Sequence, residues 1–140
     1  MKKSVEQDIN KLNSIVKSIG NIKMAFDRNT IDTPTSFRND ELTQLACTQL
    51  ITNIYEAKKK LQDETFDKLT TLNKIDLSTT RNIASHDYDR INFNIIYELC
   101  KRLTRPGILA EIYKILAELE PLEDELDDWF KNQRCCVPGR

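Results

Sequence analysis

The chain has 140 residues, of which 39% are hydrophobic and 31% are charged, and its net charge is −1 at neutral pH. This composition supports one folded domain and excludes both an intrinsically disordered chain and a uniformly basic nucleic-acid-binding protein. No apolar run approaches the roughly 20 residues that a membrane-spanning helix needs, and the polar N-terminus lacks the apolar core of a secretory signal. We therefore expect a cytoplasmic protein with no membrane partner.

The four cysteines are consistent with a reducing compartment. Cys47 and Cys100 each lie within an apolar helical pattern, where a free cysteine usually behaves as a small buried hydrophobe. Cys135 and Cys136 are adjacent near the C-terminus, and no pair has the two-residue spacing typical of zinc ligands. We expect no metal site and no cofactor.

The first predicted helix has apolar residues at spacings of three and four, which form one stripe along a helix. The stripe consists of Val5, Ile9, Leu12, Val16 and Ile19. We predict that this helix ends near Met24, because Gly20 weakens it. Residues 27–38 are rich in Asp, Asn, Thr and Ser and contain Pro34, a composition typical of a loop.

A second helix is predicted to begin at Asn39 or Asp40, either of which can cap its first turn. Its apolar stripe, expected to face the core, consists of Leu42, Leu45, Ala46, Leu50, Ile54, Ala57 and Leu61. Apolar residues within 63–75 predict a third, short helix. Asp76 or Ser78 is suited to cap the helix that follows.

Two more stripes complete the pattern, and no alternation typical of a strand is present. The fourth consists of Ile95, Ile96, Leu99, Cys100 and Leu103, and the last of Ile108, Ile112, Ile115 and Leu119. Pro106 and Gly107 either break the fourth helix or begin the next, and Pro121 is predicted to interrupt the last. We predict an all-α, antiparallel up-down bundle of four to five helices over residues 1–120, with an acidic C-terminal helical extension and tail at 121–140.

The polar segment 78–88 carries the groups best suited to phosphodiester chemistry. Arg81 is a permanent cation whose planar fork can clamp a phosphate. His86, the only histidine, can accept and donate a proton near neutral pH. Asn82 adds an amide that can orient a base or hold an oxyanion. A lone arginine and a lone histidine near a helix end are, however, more often surface or capping groups.

Spacing restricts how these groups can meet. On a continuous helix Arg81 and Tyr88 share one face, and Asn82 and His86 share another. Arg81 and His86 are five residues apart and would diverge by about 140°. Either the helix ends near Ser85, or the site combines groups from two copies of the chain, as a two-fold dimer would.

The sequence Arg81-Asn82, followed by His86 and Tyr88, resembles the R-N-x3-H-x-Y signature of HepT-like proteins, a branch of the HEPN superfamily. The resemblance extends over residues 39–46 and 54–61 on one side and over 87–98 on the other. It implies a helical bundle that dimerises along its R-x4-H helices, so that two motifs face each other in a cleft. It also implies a metal-independent endoribonuclease that is the toxin of a toxin–antitoxin pair. The antitoxin would be a minimal nucleotidyltransferase that attaches AMP to the tyrosine at position 88.

On this resemblance we assign His86 as general base or acid, Arg81 as the group that stabilises charge on the phosphate, and Asn82 as a positioning group. Salt-dependent attraction to the RNA backbone is expected from Arg90, Lys101, Arg102 and Arg105. The alternative is a non-catalytic HEPN dimer that serves as binding partner or substrate-binding module of a nucleotidyltransferase. A structural helical protein with an incidental polar patch is a third, weaker interpretation.

Overall fold

A computed structural model of the chain describes the backbone of residues 2–78 and 92–134 and the side chains of residues 5–78 and 92–121. Over these ranges the chain is helical and has no strand, which confirms the all-α prediction. The elements are α1 (Lys2–Arg28), α2 (Pro34–Arg38), α3 (Glu41–Lys59), α4 (Asp63–Lys68), a 3₁₀ turn (Leu72–Lys74), α5 (Phe93–Leu103) and α6 (Pro106–Arg134). The long helices α1, α3, α5 and α6 form the bundle, and the short α2 and α4 lie in its connections.

The core lies where α1 packs against α3 and α6 and where α3 packs against α5. The stripes predicted for α1, α5 and α6 mostly face this core, although Ile95 of α5 is 43% exposed. Side chains that are fully excluded from solvent include Leu12, Ile15, Ile19, Ile22, Cys47, Ile51, Ile54, Cys100, Leu103 and Ile112. The predicted burial of Cys47 and Cys100 is therefore confirmed.

The first helix is longer than the sequence predicts, because α1 runs through Gly20 to Arg28. A glycine inside a helix costs about 1 kcal/mol relative to alanine. Ile22, two residues after Gly20, is fully buried, and burying such a side chain contributes about 1.5–3 kcal/mol. Packing therefore outweighs the weakness at Gly20, and the predicted end near Met24 is wrong.

The predicted loop at 27–38 contains a helix of its own, α2. Thr33 caps it: its side chain accepts from the Ser36 backbone N–H at 3.0 Å, while Ser36 Oγ accepts from the Thr33 N–H at 3.1 Å. Phe37 then packs into the core beside Phe26 and Tyr97, with ring centroids 5.7–5.9 Å apart. This aromatic cluster ties α2 to the end of α1 and to α5.

The N-terminal half of α3 presents a different face to the core from the predicted one. Leu42 is 80% exposed and Ala46 is exposed, whereas Gln44 is buried. Gln44 Nε2 donates to the backbone oxygens of Phe37 at 2.7 Å and Arg38 at 2.5 Å. These carbonyls lie at the end of α2, where helical carbonyls lack partners within the helix. The Phe37 carbonyl also accepts from the Asp40 backbone N–H at 3.1 Å, so the inward-facing Gln44 amide adds to the hydrogen bonds that end α2. The C-terminal half follows the prediction, with buried Ile54, Ala57 and Leu61.

The predicted cap of α3 is confirmed at Asp40, whose side chain accepts from the Thr43 N–H at 3.1 Å. The predicted third helix is divided into α4 and the 3₁₀ turn, because the backbone leaves the helical region at Leu69. The first turn of α4 has no local cap. The buried carboxylate of Asp8 in α1 accepts from Gln62 and Thr65 instead.

The last helix continues through Pro121, so the predicted interruption is wrong. A proline inside a helix removes one hydrogen bond and crowds the carbonyl four residues earlier, at a cost of about 3 kcal/mol. Both Pro121 and Ala117, which supplies that carbonyl, are exposed. Water can therefore solvate the freed oxygen, and the helix can bend rather than end. The division of the chain at residues 120–121 stays a prediction.

Candidate functional site

The residues predicted to carry the chemistry lie in the segment 79–91, outside the described residues. These are Arg81, Asn82, His86, Tyr88 and Arg90. The structure describes both flanks of this segment and three of the four residues predicted to bind RNA. The site is therefore built here from its flanks.

The N-terminal flank is anchored in the core and carries a capping interaction. Ile75 and Leu77 are 3% and 1% exposed. Between them, Asp76 Oδ1 accepts from the Ser78 backbone N–H at 3.0 Å and from the Ser78 hydroxyl at 2.6 Å. These bonds, with a smaller contribution from the charge of Lys58, lower the pKa of Asp76. Asp76 is one of the two residues predicted to cap the next helix, and that helix lies outside the described residues.

Lys58 lies beside this flank and is a cation in a poorly solvated place. Its residue is 7% exposed, and its Nζ lies 5.3 Å from the centroid of the Phe66 ring. Burial lowers the pKa of Lys58, and the negative charge of Asp76 opposes that shift. The ring and the carboxylate therefore offset part of the cost of burying the ammonium group.

The C-terminal flank begins with a capped helix. Asn92 is the N-cap of α5, and its side chain accepts from the Asn94 N–H at 3.0 Å. Asn94 Oδ1 accepts from Arg38 Nη2 at 3.2 Å, which links α2 to the first turn of α5. Ile96, one turn further, is buried. Both described flanks of the segment that bears the motif are thus anchored to the bundle.

Two of the predicted RNA-binding residues, Arg102 and Arg105, lie together. They line a cavity of about 310 Å³ between the 3₁₀ turn and the junction of α5 and α6. Lys74, at the end of the 3₁₀ turn, lines the same cavity, which we call the Lys74 cavity. Its remaining lining residues are Thr71, Ile75, Gly107 and Ile108. Among the residues that the structure describes, three cations and no carboxylate line it, so it is suited to attract an anion.

Lys101 does not join this group. It lines a separate cavity of about 190 Å³ beside α1, together with Lys23, Asp27 and Thr104. Because Asp27 lines it, this second cavity has mixed charge. The predicted basic surface is therefore divided, and Arg102 and Arg105 form its concentrated part.

Lys74 is not among the residues that the sequence predicts to bind RNA, because it lies apart from Arg90, Lys101, Arg102 and Arg105 along the chain. The only signal in the sequence is that Lys74 is the last basic residue before the motif. Its meeting with Arg102 depends on how the 3₁₀ turn packs against the end of α5. The spacing of residues along the chain does not predict how these two elements pack.

Within residues 2–78 and 92–134, no helix is long and apolar enough to cross a membrane. Among the residues that the structure describes, no group of three or more His, Cys, Asp or Glu side chains is arranged to hold a metal ion.

The chain is similar to a known protein family. The family model described as ribonuclease HepT-like matches residues 5–126, a range that spans the bundle, both flanks and the segment between them. No curated protein and no solved structure shows significant similarity to the chain. The match covers most of the sequence and agrees with the resemblance drawn from Arg81, Asn82, His86 and Tyr88. The chain therefore belongs to the HepT-like ribonuclease family of the HEPN superfamily.

Proposed function

We propose that the protein is a metal-independent endoribonuclease and the toxin component of a toxin–antitoxin pair, acting on RNA in the cytoplasm. The observation that carries the proposal is the family match over residues 5–126, because that range includes the R-N-x3-H-x-Y motif. The motif supplies a proton-transfer group, a permanent cation and an amide within eight residues. Those are the groups that RNA cleavage without a metal requires.

The proposed reaction uses the nucleophile that RNA itself carries. His86, as a base, takes the proton of the ribose 2′-hydroxyl, and the 2′-oxygen attacks the adjacent phosphorus. The bond from phosphorus to the 5′-oxygen breaks, and that oxygen leaves with a proton donated by an imidazolium. The products are a 2′,3′-cyclic phosphate and a 5′-hydroxyl. Arg81 stabilises the extra negative charge on the phosphoryl oxygens, and Asn82 orients His86 or the phosphate.

We propose that the site is assembled by a homodimer. A two-fold interface presents the same patch twice, so each cleft can receive Arg81 from one protomer and His86 from its partner. This arrangement is favoured by the divergence of about 140° that the two side chains would have on one continuous helix. It also provides two proton-transfer groups for one phosphate.

Tyr88 is proposed as the control point. A minimal nucleotidyltransferase acting as antitoxin would attach AMP to its hydroxyl and release pyrophosphate from ATP. The added phosphate is negative and bulky, so it would compete with RNA for Arg81. Intact-protein mass spectrometry after incubation with ATP and a cognate nucleotidyltransferase tests this step, and an unmodified Tyr88 would contradict it.

The first experiment is cleavage of a mixed RNA pool in EDTA by the wild-type protein and by His86→Ala and Arg81→Ala. Arg28→Ala is the matched control, because Arg28 is an exposed arginine at the end of α1. We expect cleavage by the wild type and the control and none by the two motif variants. Equal cleavage by wild type and His86→Ala would indicate a contaminating nuclease and refute the assignment.

Absence of cleavage by every variant would favour the alternative, a non-catalytic HEPN dimer that serves a nucleotidyltransferase as binding partner or substrate-binding module. That result requires folded, dimeric protein whose Tyr88 carries no AMP. Circular dichroism, sedimentation and intact mass provide these three checks. Cleavage that appears only with added Mg²⁺ would instead refute the metal-independent mechanism.

A further inference from the structure

The Lys74 cavity gathers cations from three successive parts of the fold. Lys74 ends the 3₁₀ turn, Arg102 lies in the last turn of α5, and Arg105 lies in the connection to α6. None of the three forms an ion pair with another residue that the structure describes. Their positive charges therefore repel one another around about 310 Å³ of open space.

The neighbouring cavity shows what a balanced site looks like in the same fold. It lies on the other side of Gly107 and contains Lys68 and Lys114 together with Glu111 and Glu118. Lys68 Nζ and Glu118 Oε2 are 3.2 Å apart. Among the described lining residues, positive and negative charges are equal in number there, whereas those of the Lys74 cavity are all positive.

The carboxylate next to the Lys74 cavity is already engaged. Glu111 accepts from the Thr71 N–H at 3.1 Å, from the Thr70 hydroxyl at 2.8 Å and from the Thr71 hydroxyl at 3.1 Å. These bonds hold the residues before the 3₁₀ turn against α6. Glu111 thus fixes one wall of the cavity, while its charge is directed to the threonines.

Helix dipoles explain only part of the arrangement. Basic residues near the C-terminal end of α5 offset its negative end, which accounts for Lys101 and Arg102. Lys74 belongs to a different element and offsets no α-helix end. The positive end of α6, which begins at Pro106, adds to the positive field instead of reducing it. A ligand that brings negative charge would balance the positive charge that the described residues leave uncompensated at this cavity.

We propose that the Lys74 cavity binds a phosphate group. Arginine guanidinium groups bind phosphate oxygens in pairs, and lysine acts as a flexible point charge. The volume is at the small end of ligand sites, enough for one phosphate and part of its sugar. The identity of this phosphate rests on the proposed function: it is a backbone phosphate of the RNA substrate, at some distance from the phosphate whose bond is cleaved.

The cavity is tested first with inorganic phosphate alone, on full-length His86→Ala protein. The chain has three glycines, so the amide resonances of Gly107 and Gly20 are readily followed by ¹H–¹⁵N NMR. We expect a saturable shift of Gly107, which lines the cavity, and none of Gly20, with sodium chloride of equal ionic strength as control. Lys74→Ala should weaken phosphate binding about tenfold, the loss of one charged hydrogen bond. Lys114→Ala, which removes the same charge from the balanced cavity, should leave it unchanged.

The source of the phosphate is tested with fluorescently labelled single-stranded RNA and the same variants. Each lost phosphate contact lowers the slope of log affinity against log salt by about 0.7 for single strands. If RNA fills the cavity, Lys74→Ala lowers the slope by about that amount and Lys114→Ala does not. If RNA binding is unchanged while phosphate binding is lost, the site stands and its ligand is a free phosphate compound. Because no cleavage is measured, failure of the proposed ribonuclease activity affects neither assay. An unmoved Gly107 resonance, or equal losses in Lys74→Ala and Lys114→Ala, would overturn the inference.

Discussion

The carboxylate of Asp8 is expected to be one of the largest single polar contributions to the stability of this fold. Asp8 lies on α1 and is 1% exposed, and it accepts hydrogen bonds at the start of α4, whose N-cap residue Gln62 makes no side-chain capping bond of its own. Its oxygens accept from the Gln62 backbone N–H at 3.1 Å, the Gln62 amide at 3.0 Å and the Thr65 hydroxyl at 2.5 Å. The same contact positions the chain that leads to the 3₁₀ turn and the Lys74 cavity.

The magnitude follows from these three bonds. A hydrogen bond to a charged group contributes about 1.5–3 kcal/mol, and a buried donor left without a partner costs about 1–3 kcal/mol. The Thr65 hydroxyl is buried, whereas the Gln62 side chain can turn to water. We therefore expect Asp8→Ala to lower the free energy of unfolding by about 3 kcal/mol and Tm by about 10 °C. Asp8→Asn keeps an acceptor oxygen but turns an amide N–H₂ towards donors, so about half of that loss is expected.

Urea unfolding followed by circular dichroism measures both values. Asp27→Ala is the control, because Asp27 is an exposed carboxylate on the same helix, and its effect should stay within about 0.5 kcal/mol. Thr65→Val completes a double-mutant cycle with Asp8→Ala, for which we expect a coupling energy of at least about 1 kcal/mol. A loss below 0.5 kcal/mol for Asp8→Ala, or strict additivity with Thr65→Val, would refute the reasoning.

Three further predictions concern the core. A hydrogen bond between the buried thiols of Cys47 and Cys100, together with burial, raises the pKa of Cys100. In a variant whose two cysteines near the C-terminus are replaced by serine, Ellman's reagent should therefore detect no thiol in the native protein and two thiols in guanidinium. On α3, Leu42→Ala should change the free energy of unfolding by less than about 0.5 kcal/mol, because the Leu42 side chain is 80% exposed. Ile54→Ala should lower it by about 2–5 kcal/mol, because Ile54 is 0% exposed. Equal losses for the two variants in urea unfolding would contradict the observed face of α3. Burial lowers the pKa of Lys58 below its ordinary value of 10.5. The charge of Lys58 therefore destabilises the folded state by its full amount when the pH is below the lowered pKa, and this destabilisation disappears as the pH rises to 10.5. Lys58→Met should therefore be more stable than the wild type at pH 7, and unfolding curves across this range should show the difference shrink as the pH rises.

The sequence predicts the fold well where apolar residues alone decide which side faces inward. In α6, Ile108, Ile112, Ile115 and Leu119 all become buried as their spacing indicates. The predicted burial of Leu42 on α3 is wrong, and the spacing of apolar residues could not have revealed the reason. The carbonyls at the end of α2 accept hydrogen bonds from the Gln44 amide, which reaches them from the inward face of α3. Hydrogen-bond demand of one element thus determined the rotation of another.

The candidate site was likewise predictable from the sequence only in part. The motif was found from local chemistry, since Arg81, His86 and their neighbours lie within eight residues of one another. The Lys74 cavity depends on residues almost 30 positions apart along the chain, between Lys74 and Arg102. Their proximity results from the packing of the 3₁₀ turn, which Leu72 and Ile75 anchor in the core. Sequence alone therefore identified Arg102 and Arg105 as basic but could not identify the third cation that lines their cavity.

Covalent geometry limits how far the Lys74 cavity can lie from the proposed chemistry in one protomer. Arg81 follows Lys74 by seven residues, and an extended chain spans at most about 3.6 Å per residue, so the separation of their backbones is at most about 25 Å. Part of that length is used inside the core, where Ile75 and Leu77 are buried. One short stretch of RNA can therefore contact both places. Phosphate contacts position a nucleic acid without reading its bases, so a cavity of this kind would select for the length and position of the strand. Any preference for particular bases would have to arise closer to Arg81 and His86.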